Sequence, residues 1–227
     1  MEENKNLTAE RSLEIIREQI EQSRRTVSKS TGQALYVSGL CTIAMAGVVA
    51  IVNYVSQTAL GHLLWLAMPL VIWIAMRNIF KKRQHEPESL VGSLVGKTWW
   101  TFAFFALGFF VIAIIWGFIG GRLLSPSEYV LINIKIAPTI VLLMGMAVTM
   151  TGHILKQRWL VIFGIAAGLL CFMWEHFGIG NHLLSYLTVL SPEKWAVPFA
   201  TLPCLTIVLF AFIGLVLPGM MLKKQSL

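Results

Sequence analysis

Residues 98–119 read TWWTFAFFALGFFVIAIIWGFI, an unbroken run of 22 positions without a charged side chain. An α-helix needs about 20 consecutive apolar residues to cross the hydrocarbon core of a bilayer. A helix on the surface of a soluble domain would instead carry polar residues on its outer face. This segment therefore predicts a membrane-spanning helix.

Five further apolar runs lie on either side of this segment. The composition agrees with a membrane protein, because 56% of the residues are hydrophobic and 13% are charged, whereas soluble domains carry about 25% charged residues. Short joints at 56–59 and 156–158 make the spans that they connect antiparallel neighbours. The predicted fold class is all-α: a polytopic membrane protein with six transmembrane helices in hairpins. The six spans are predicted at 34–55, 60–79, 98–119, 134–155, 159–174 and 196–217.

The polar parts of the chain are short. Residues 1–33 are predicted as a cytoplasmic amphipathic helix, 34–222 as the six-span domain and 223–227 as a cytoplasmic tail. Neither the first 33 residues nor the polar connector between Lys81 and Trp100 reaches the ~40 residues that a domain needs to fold alone. The sequence therefore excludes a soluble catalytic domain.

The Lys and Arg residues predict the orientation, since connectors that stay in the cytoplasm keep the positive charge. Fifteen of the 18 basic residues fall on the side of both termini, and the other three are Arg122, Lys135 and Lys194. Both termini are therefore predicted to be cytoplasmic. Tryptophans at the ends of the spans are predicted to be anchors in the headgroup layer; they are Trp99, Trp100, Trp116, Trp159, Trp174 and Trp195.

An apolar stripe runs along the predicted N-terminal helix. Leu13, Ile16, Ile20 and Val27 repeat at helical spacing, with charged residues on the other faces. Six Glu residues balance six Lys and Arg residues up to position 29, so attraction to anionic lipid is expected to be weak. We expect the stripe to dock a cytoplasmic protein or a second copy of the chain.

A few ionisable residues near the predicted outer surface form a weak candidate polar site: Glu175, His176, His182 and Lys135. Charge at membrane depth is costly and is usually kept for a purpose, so a proton or cation site is one interpretation. The alternative is that Glu175 and His176, one turn from the interface, simply reach water. If its span begins near residue 129, Lys135 lies inside the membrane and needs an acidic partner. If the span begins near residue 136, the side chain of Lys135 extends outward to the interface. Residues 182–190 are too short to span and are predicted to be interfacial or re-entrant.

No catalytic, cofactor-binding or metal-binding residues are predicted. The chain has no Asp, and its three cysteines lie singly in apolar runs. The segment 91–98, VGSLVGKT, has three residues between its glycines where a phosphate-binding loop needs four. We therefore expect no cofactor, and we expect the lipid bilayer rather than nucleic acid as the principal partner.

The opening SLEIIREQIEQSRR at 12–25, the hairpins that end in Lys or Arg and the closing LPGMMLK at 217–223 resemble an uncharacterised family of bacterial six-span membrane proteins. The resemblance covers nearly the full chain. It implies a place in the bacterial cytoplasmic (inner) membrane and a functional link to small winged-helix regulators. It supplies no catalytic or binding residues.

Three functions follow as expectations. The first is a non-enzymatic interaction or sensory component of the membrane, with the N-terminal helix as a docking surface. The second is a small transporter or channel with a site near Glu175 and His176. An intramembrane enzyme ranks third, because the sequence shows no nucleophile with its base and no metal cluster.

Overall fold

A computed structural model describes residues 2–56, 59–83, 89–123, 136–179 and 198–225. These ranges are almost entirely helical and contain no strand, which confirms the all-α prediction. The elements are α1 (Glu2–Ser56), a 3₁₀ helix (Ala59–Ala67), α2 (Met68–Arg83), α3 (Leu90–Leu123), α4 (Ile136–Leu155), α5 (Arg158–His176), α6 (Pro198–Ala211), a π-helical segment (Phe212–Val216) and α7 (Leu217–Gln225).

Five helical segments in the described ranges are long and apolar enough to cross a membrane. They are Arg11–Ser56, Leu90–Gly117, Ile136–Leu155, Arg158–Glu175 and Pro203–Lys224. Each of them overlaps one of the predicted spans. The predicted span 60–79 corresponds to a shorter apolar helical segment, Gly61–Arg77.

The N-terminal amphipathic helix and the first apolar run form one continuous helix. Helix α1 extends from Glu2 to Ser56, a length of about 80 Å. The boundary placed between residues 33 and 34 therefore falls inside a helix. Thr31 and Leu35, on either side of that boundary, are both buried, so the bundle contacts α1 before its apolar run begins.

Close glycine contacts hold α4 against α5. A Cβ added to Gly145 would lie 2.6 Å from the carbonyl oxygen of Gly164 and 2.7 Å from the Cα of Gly168. Such distances leave no room for a side chain, so the two backbones touch. The Gly164–Gly168 pair is thus used for packing within the chain, as small-xxx-small faces commonly are in membrane helices.

Glycines also set the crossing of α1 with the π-helical segment and α7. A Cβ on Gly32 would lie 2.6 Å from the Cβ of Leu222, and one on Gly39 would lie 2.9 Å from the Cβ of Leu215. On the other helix, a Cβ on Gly219 would lie 2.5 Å from the backbone nitrogen of Tyr36. The absence of side chains at these positions lets the C-terminal segment lie directly against α1 where its apolar run begins.

The last apolar segment is interrupted by a π-helical turn. The backbone N–H of Leu217 donates to the carbonyl of Phe212, five residues back instead of four. Pro218 follows at once, and its ring would clash with the carbonyl of Gly214 in a regular α-helix. The wider turn at Phe212–Val216 therefore accommodates the ring of Pro218. The helix continues to Gln225, beyond the predicted end at 217.

Helix α3 begins earlier than predicted. Ser89 precedes it, and its side-chain oxygen accepts the backbone N–H of Gly92 at 3.1 Å, an N-terminal cap. Residues 91–98, the stretch that resembles a phosphate-binding loop, are helical. From the second turn onward, their backbone N–H groups therefore donate to carbonyl groups of the same helix.

Candidate functional site

The part of α1 before Ser23 extends beyond the rest of the bundle. Every residue from 11 to 22 is exposed, and the exposed fractions of Leu13, Ile16 and Ile20 are 67%, 51% and 41%. The hydroxyl oxygen of Ser23 is buried, which marks where the bundle begins to cover the helix. At 1.5 Å per residue, Leu13 lies about 15 Å beyond that point.

The exposed stripe continues the buried face of the same helix. At about 100° per residue, Leu13, Ile16 and Ile20 fall within roughly 40° of the direction of Val27. Val27 is 5% exposed and belongs to the main buried cluster. We call Leu13, Ile16 and Ile20 the overhanging face, because they point to the side on which the bundle lies while extending past its end.

Val27 is therefore not part of the exposed face, and the prediction that grouped it with Leu13, Ile16 and Ile20 is wrong. Its side chain is buried in the same cluster as Val91, Val95 and Leu222. The sequence could not separate it from Ile20, since both positions lie on one helical face. The two residues differ only because the other helices end between them, so that Val27 is covered and Ile20 is exposed.

The charges around the overhanging face are unevenly placed. Helical geometry puts Arg17 and Arg24 along one edge of the face, at about 50–70° from its centre. The opposite edge carries uncharged Ser12 and Gln19. The acidic residues lie on the back of the helix, beyond about 100° from that centre; they are Glu14, Glu18 and Glu21. Among residues 11–25, the overhanging face is therefore bordered by positive charge only.

The adjacent end of the bundle is also positive. Exposed basic side chains from three further helices and from the turn after α4 lie there. We call them the basic end: Lys97, Lys156, Arg158, Lys223 and Lys224. The contact of Gly32 with Leu222 and Lys223 shows that α7 ends beside the start of the first apolar run of α1. The charged border of the overhanging face and the end of the bundle beside it are thus both positive.

A carboxylate links two helices at the opposite end of the bundle. The hydroxyl of Thr206 in α6 donates to Oε1 of Glu175 in α5 at 2.7 Å. Thr206 is buried, whereas Glu175 is half-buried. The interpretation of Glu175 as a group that only reaches water is therefore incomplete, because one of its oxygens is engaged inside the bundle.

The other residues of the predicted polar site cannot be placed beside Glu175. Lys135, His182 and the predicted interfacial segment 182–190 lie outside the described residues, and so does the side chain of His176. Within the described residues, no group of three or more His, Cys, Asp or Glu side chains could hold a metal ion.

Two polar features inside the bundle were not predicted from the sequence. Trp99 was predicted to be a headgroup anchor, but its indole N–H donates to Thr151 at 3.1 Å, and Thr151 is fully buried. Asn53 lies inside the predicted span 34–55 and had no predicted role, yet it is fully buried, and a Cβ on Gly61 would collide with its side chain. Burial was the missing information in both cases, since a residue near a span end faces either lipid or a neighbouring helix.

Hydroxyl groups in the middle of the spans are bonded to their own helices. Thr42 donates to the carbonyl of Ser38 and Thr149 donates to the carbonyl of Gly145, each at 2.8 Å. In such bonds the hydroxyl donates its proton to a carbonyl of the same helix. Two of the three free cysteines, Cys171 and Cys204, are buried.

Comparisons of the whole chain with protein-family models, with curated proteins and with solved structures gave no match. The resemblance to bacterial six-span proteins stays a prediction from the opening and closing motifs.

Proposed function

We propose that this chain is a non-enzymatic interaction or sensory component of the bacterial cytoplasmic membrane, and that α1 carries a docking face from the cytoplasm into the bundle. The observation that carries the proposal is the overhanging face, three large apolar side chains held in water on a helix that is buried farther along. Exposed apolar residues grouped on one face are typical of interaction sites.

The topology that we propose has six spans with both termini in the cytoplasm. The 3₁₀ helix rises about 2.0 Å per residue, so Ala59–Ala67 followed by the α2 residues up to Arg77 covers roughly 33 Å. That length is sufficient for a sixth crossing of a hydrocarbon core about 30 Å thick. With six crossings, the basic end faces the cytoplasm, in agreement with the distribution of Lys and Arg.

Helix α1 supports a signalling role because it has no break between its exposed and buried parts. A partner bound at Ile16 would act on the same helix that contacts α7 through Gly32 and the π-helical segment through Gly39. Burial of Leu13, Ile16 and Ile20 would contribute roughly 1.5–3 kcal/mol each before ordering costs. This is sufficient for a helix to be held in a groove or a helical pair.

A pair of neighbouring residues provides the test. Ile16 and Ile15 are about equally exposed, at 51% and 49%, but Ile15 lies on another side of the helix, about 100° away. We expect maleimide to label Ile16→Cys much more slowly than Ile15→Cys in living cells, and the two at similar rates in the purified protein. Mass spectrometry of the N-terminal peptide measures both rates without removal of the native cysteines.

Equal labelling of the two cysteines in cells would show that nothing covers the overhanging face, and the proposed docking function would then be rejected. A second variant, Ile16→Asp with Ile20→Asp, should release the partner while the spans stay inserted. Ile15→Asp is the control, because it adds one negative charge to the same part of the helix but outside the face.

A transporter or channel is the second candidate, and the bond between Glu175 and Thr206 is the observation that favours it. A carboxylate engaged inside a bundle marks many ion and proton pathways. We expect Glu175→Gln with His176→Ala to leave insertion and folding intact. Altered proton or cation flux in vesicles that contain this folded variant would favour transport over docking, and unchanged flux would count against it.

A further inference from the structure

We propose that the overhanging face binds an acidic amphipathic helix that belongs to a soluble protein. This inference rests on the proposed docking function and adds the chemistry of the partner.

The direction of the face excludes a parallel pairing with a second copy. Leu13, Ile16 and Ile20 lie on the side of α1 that faces its own bundle, as the burial of Val27 on that side shows. Two copies in one membrane stand parallel, so a pair joined through this face would have to place both bundles on the axis between the two helices. The bundles would then occupy the same space. A molecule without such a bundle can enter from the cytoplasm.

The border of the face selects the charge of that molecule. Exposed Arg17 and partly buried Arg24 lie along one edge. Glu14, Glu18 and Glu21 are on the back of α1, where they cannot contact a helix bound to the face. Arg24 retains one ion pair on its own helix, with Glu21 at 3.7 Å. A bound helix with Glu or Asp beside its apolar stripe would pair with Arg17 and approach the basic end, whereas a basic helix would be repelled by both.

The shape of the site favours a helix over an extended peptide. The three apolar residues recur at intervals of three and four positions on a regular helix, and a second amphipathic helix matches such a row through its own i, i+3 and i+7 side chains. An added β-strand would instead need an exposed strand edge, and the described residues contain no strand.

The experiment uses the full-length protein in nanodiscs of phosphatidylcholine alone, so that no anionic lipid competes. Two fluorescent helical peptides share one Leu/Ile stripe and differ only at the flanking positions, which carry Glu in one peptide and Lys in the other. Fluorescence anisotropy gives the Kd of each. We expect the Glu peptide to bind roughly three- to tenfold more tightly at low salt, because it pairs with exposed Arg17 and lies near the basic end.

Two variants locate the binding. Arg17→Glu with Arg24→Glu should abolish or invert the preference for the Glu peptide, and Ile16→Asp with Ile20→Asp should weaken the binding of both peptides. Equal affinity for the two peptides, tighter binding of the Lys peptide or undiminished binding to the Asp variant would each overturn the inference.

A membrane surface or a second copy of the chain on the overhanging face would give different results. If a membrane surface covers the face, purified protein in nanodiscs that contain phosphatidylglycerol will protect Ile16→Cys from maleimide, and no soluble partner is then required. If a second copy covers it, the protection will rise with the number of chains per nanodisc. Either result contradicts the inference while preserving slow labelling in cells, so it is distinguishable from failure of the docking function itself.

Discussion

Helices α3 and α4 are neighbours of similar apolar character, yet they differ in how much of their surface the bundle covers. In the most apolar 18-residue stretch of α4, 50% of the residues are buried, whereas in that of α3 the share is 6%. The difference follows the glycines. Gly145 of α4 touches the backbone of α5, whereas a Cβ added to Gly96 or Gly108 of α3 would have no atom within 4 Å.

This contrast separates two kinds of information in an apolar sequence. Length and hydrophobicity predict that a segment spans a membrane. They do not predict its place in the bundle, because lipid tails and apolar side chains are similar surroundings for Leu, Ile or Phe. A small residue predicts a central place only where a second backbone approaches it.

The largest effect is expected from one substitution made in both helices. Gly145→Val would force its side chain into Gly164 and Gly168 of α5 and should lower the free energy of unfolding by roughly 3 kcal/mol or more. Gly108→Val points into open space on α3 and should change it by less than about 0.5 kcal/mol. Thermal unfolding in detergent compares the two, and equal losses would show that α3 is also closely packed there.

A second matched pair tests the crossing of α1 and α7. Gly219→Ala brings a methyl group against the backbone of Tyr36 and should cost about 2 kcal/mol. Gly47→Ala, on the open side of α1, should stabilise the helix slightly, since Ala exceeds Gly in helix propensity by about 1 kcal/mol. Size-exclusion profiles and melting temperatures record both. A stable Gly219→Ala variant would mean that α7 can move away from α1 at little cost.

The apolar runs predicted the positions of the central helices closely. The predicted spans 134–155 and 159–174 correspond to α4 (Ile136–Leu155) and α5 (Arg158–His176). The sequence did not predict that α1 continues through residues 30–34, because the polar residues there are typical of a span boundary. They stay helical since the missing Cβ of Gly32 lets Leu222 cover them, a contact between residues far apart in the chain.

The candidate sites were predictable to different degrees. The periodicity of Leu13, Ile16 and Ile20 identified an amphipathic face, because helical spacing is a local property of the sequence. The partner of Glu175 was not predictable, since Thr206 lies 31 positions away and reaches it only through the arrangement of α5 and α6. The same applies to Trp99 and Thr151, which are 52 positions apart.

A double-mutant cycle on this last pair should show an effect of about 1 kcal/mol. Thr151→Val leaves the indole N–H of Trp99 without its acceptor, and Trp99→Phe removes the donor. Each single variant should lose about 1–2 kcal/mol, and the double variant should lose less than their sum. Urea or thermal unfolding of the four proteins gives the coupling. Strict additivity would show that the bond contributes nothing to the contact between α3 and α4.

The smallest effect is expected where α4 ends, and its sign is opposite to that of the others. Lys156 has a φ of 55°, in the left-handed region that is unfavourable for residues with a Cβ. The N–H of Gln157 donates to the carbonyl of Gly152 at 2.9 Å and that of Lys156 to His153 at 3.2 Å. This is the hydrogen-bond pattern of a Schellman motif, which commonly has Gly at this position.

Lys156→Gly should therefore stabilise the protein, by about 0.5 kcal/mol after the extra freedom that Gly gives the unfolded chain is subtracted. Lys97→Gly is the control, because it makes the same change at an exposed helical position of α3, where Gly should cost about 1 kcal/mol. Melting temperatures that move in opposite directions for the two variants would support a tight turn that holds α4 to α5. A loss of stability in both would mean that the Lys156 side chain stabilises the basic end by more than its backbone conformation costs.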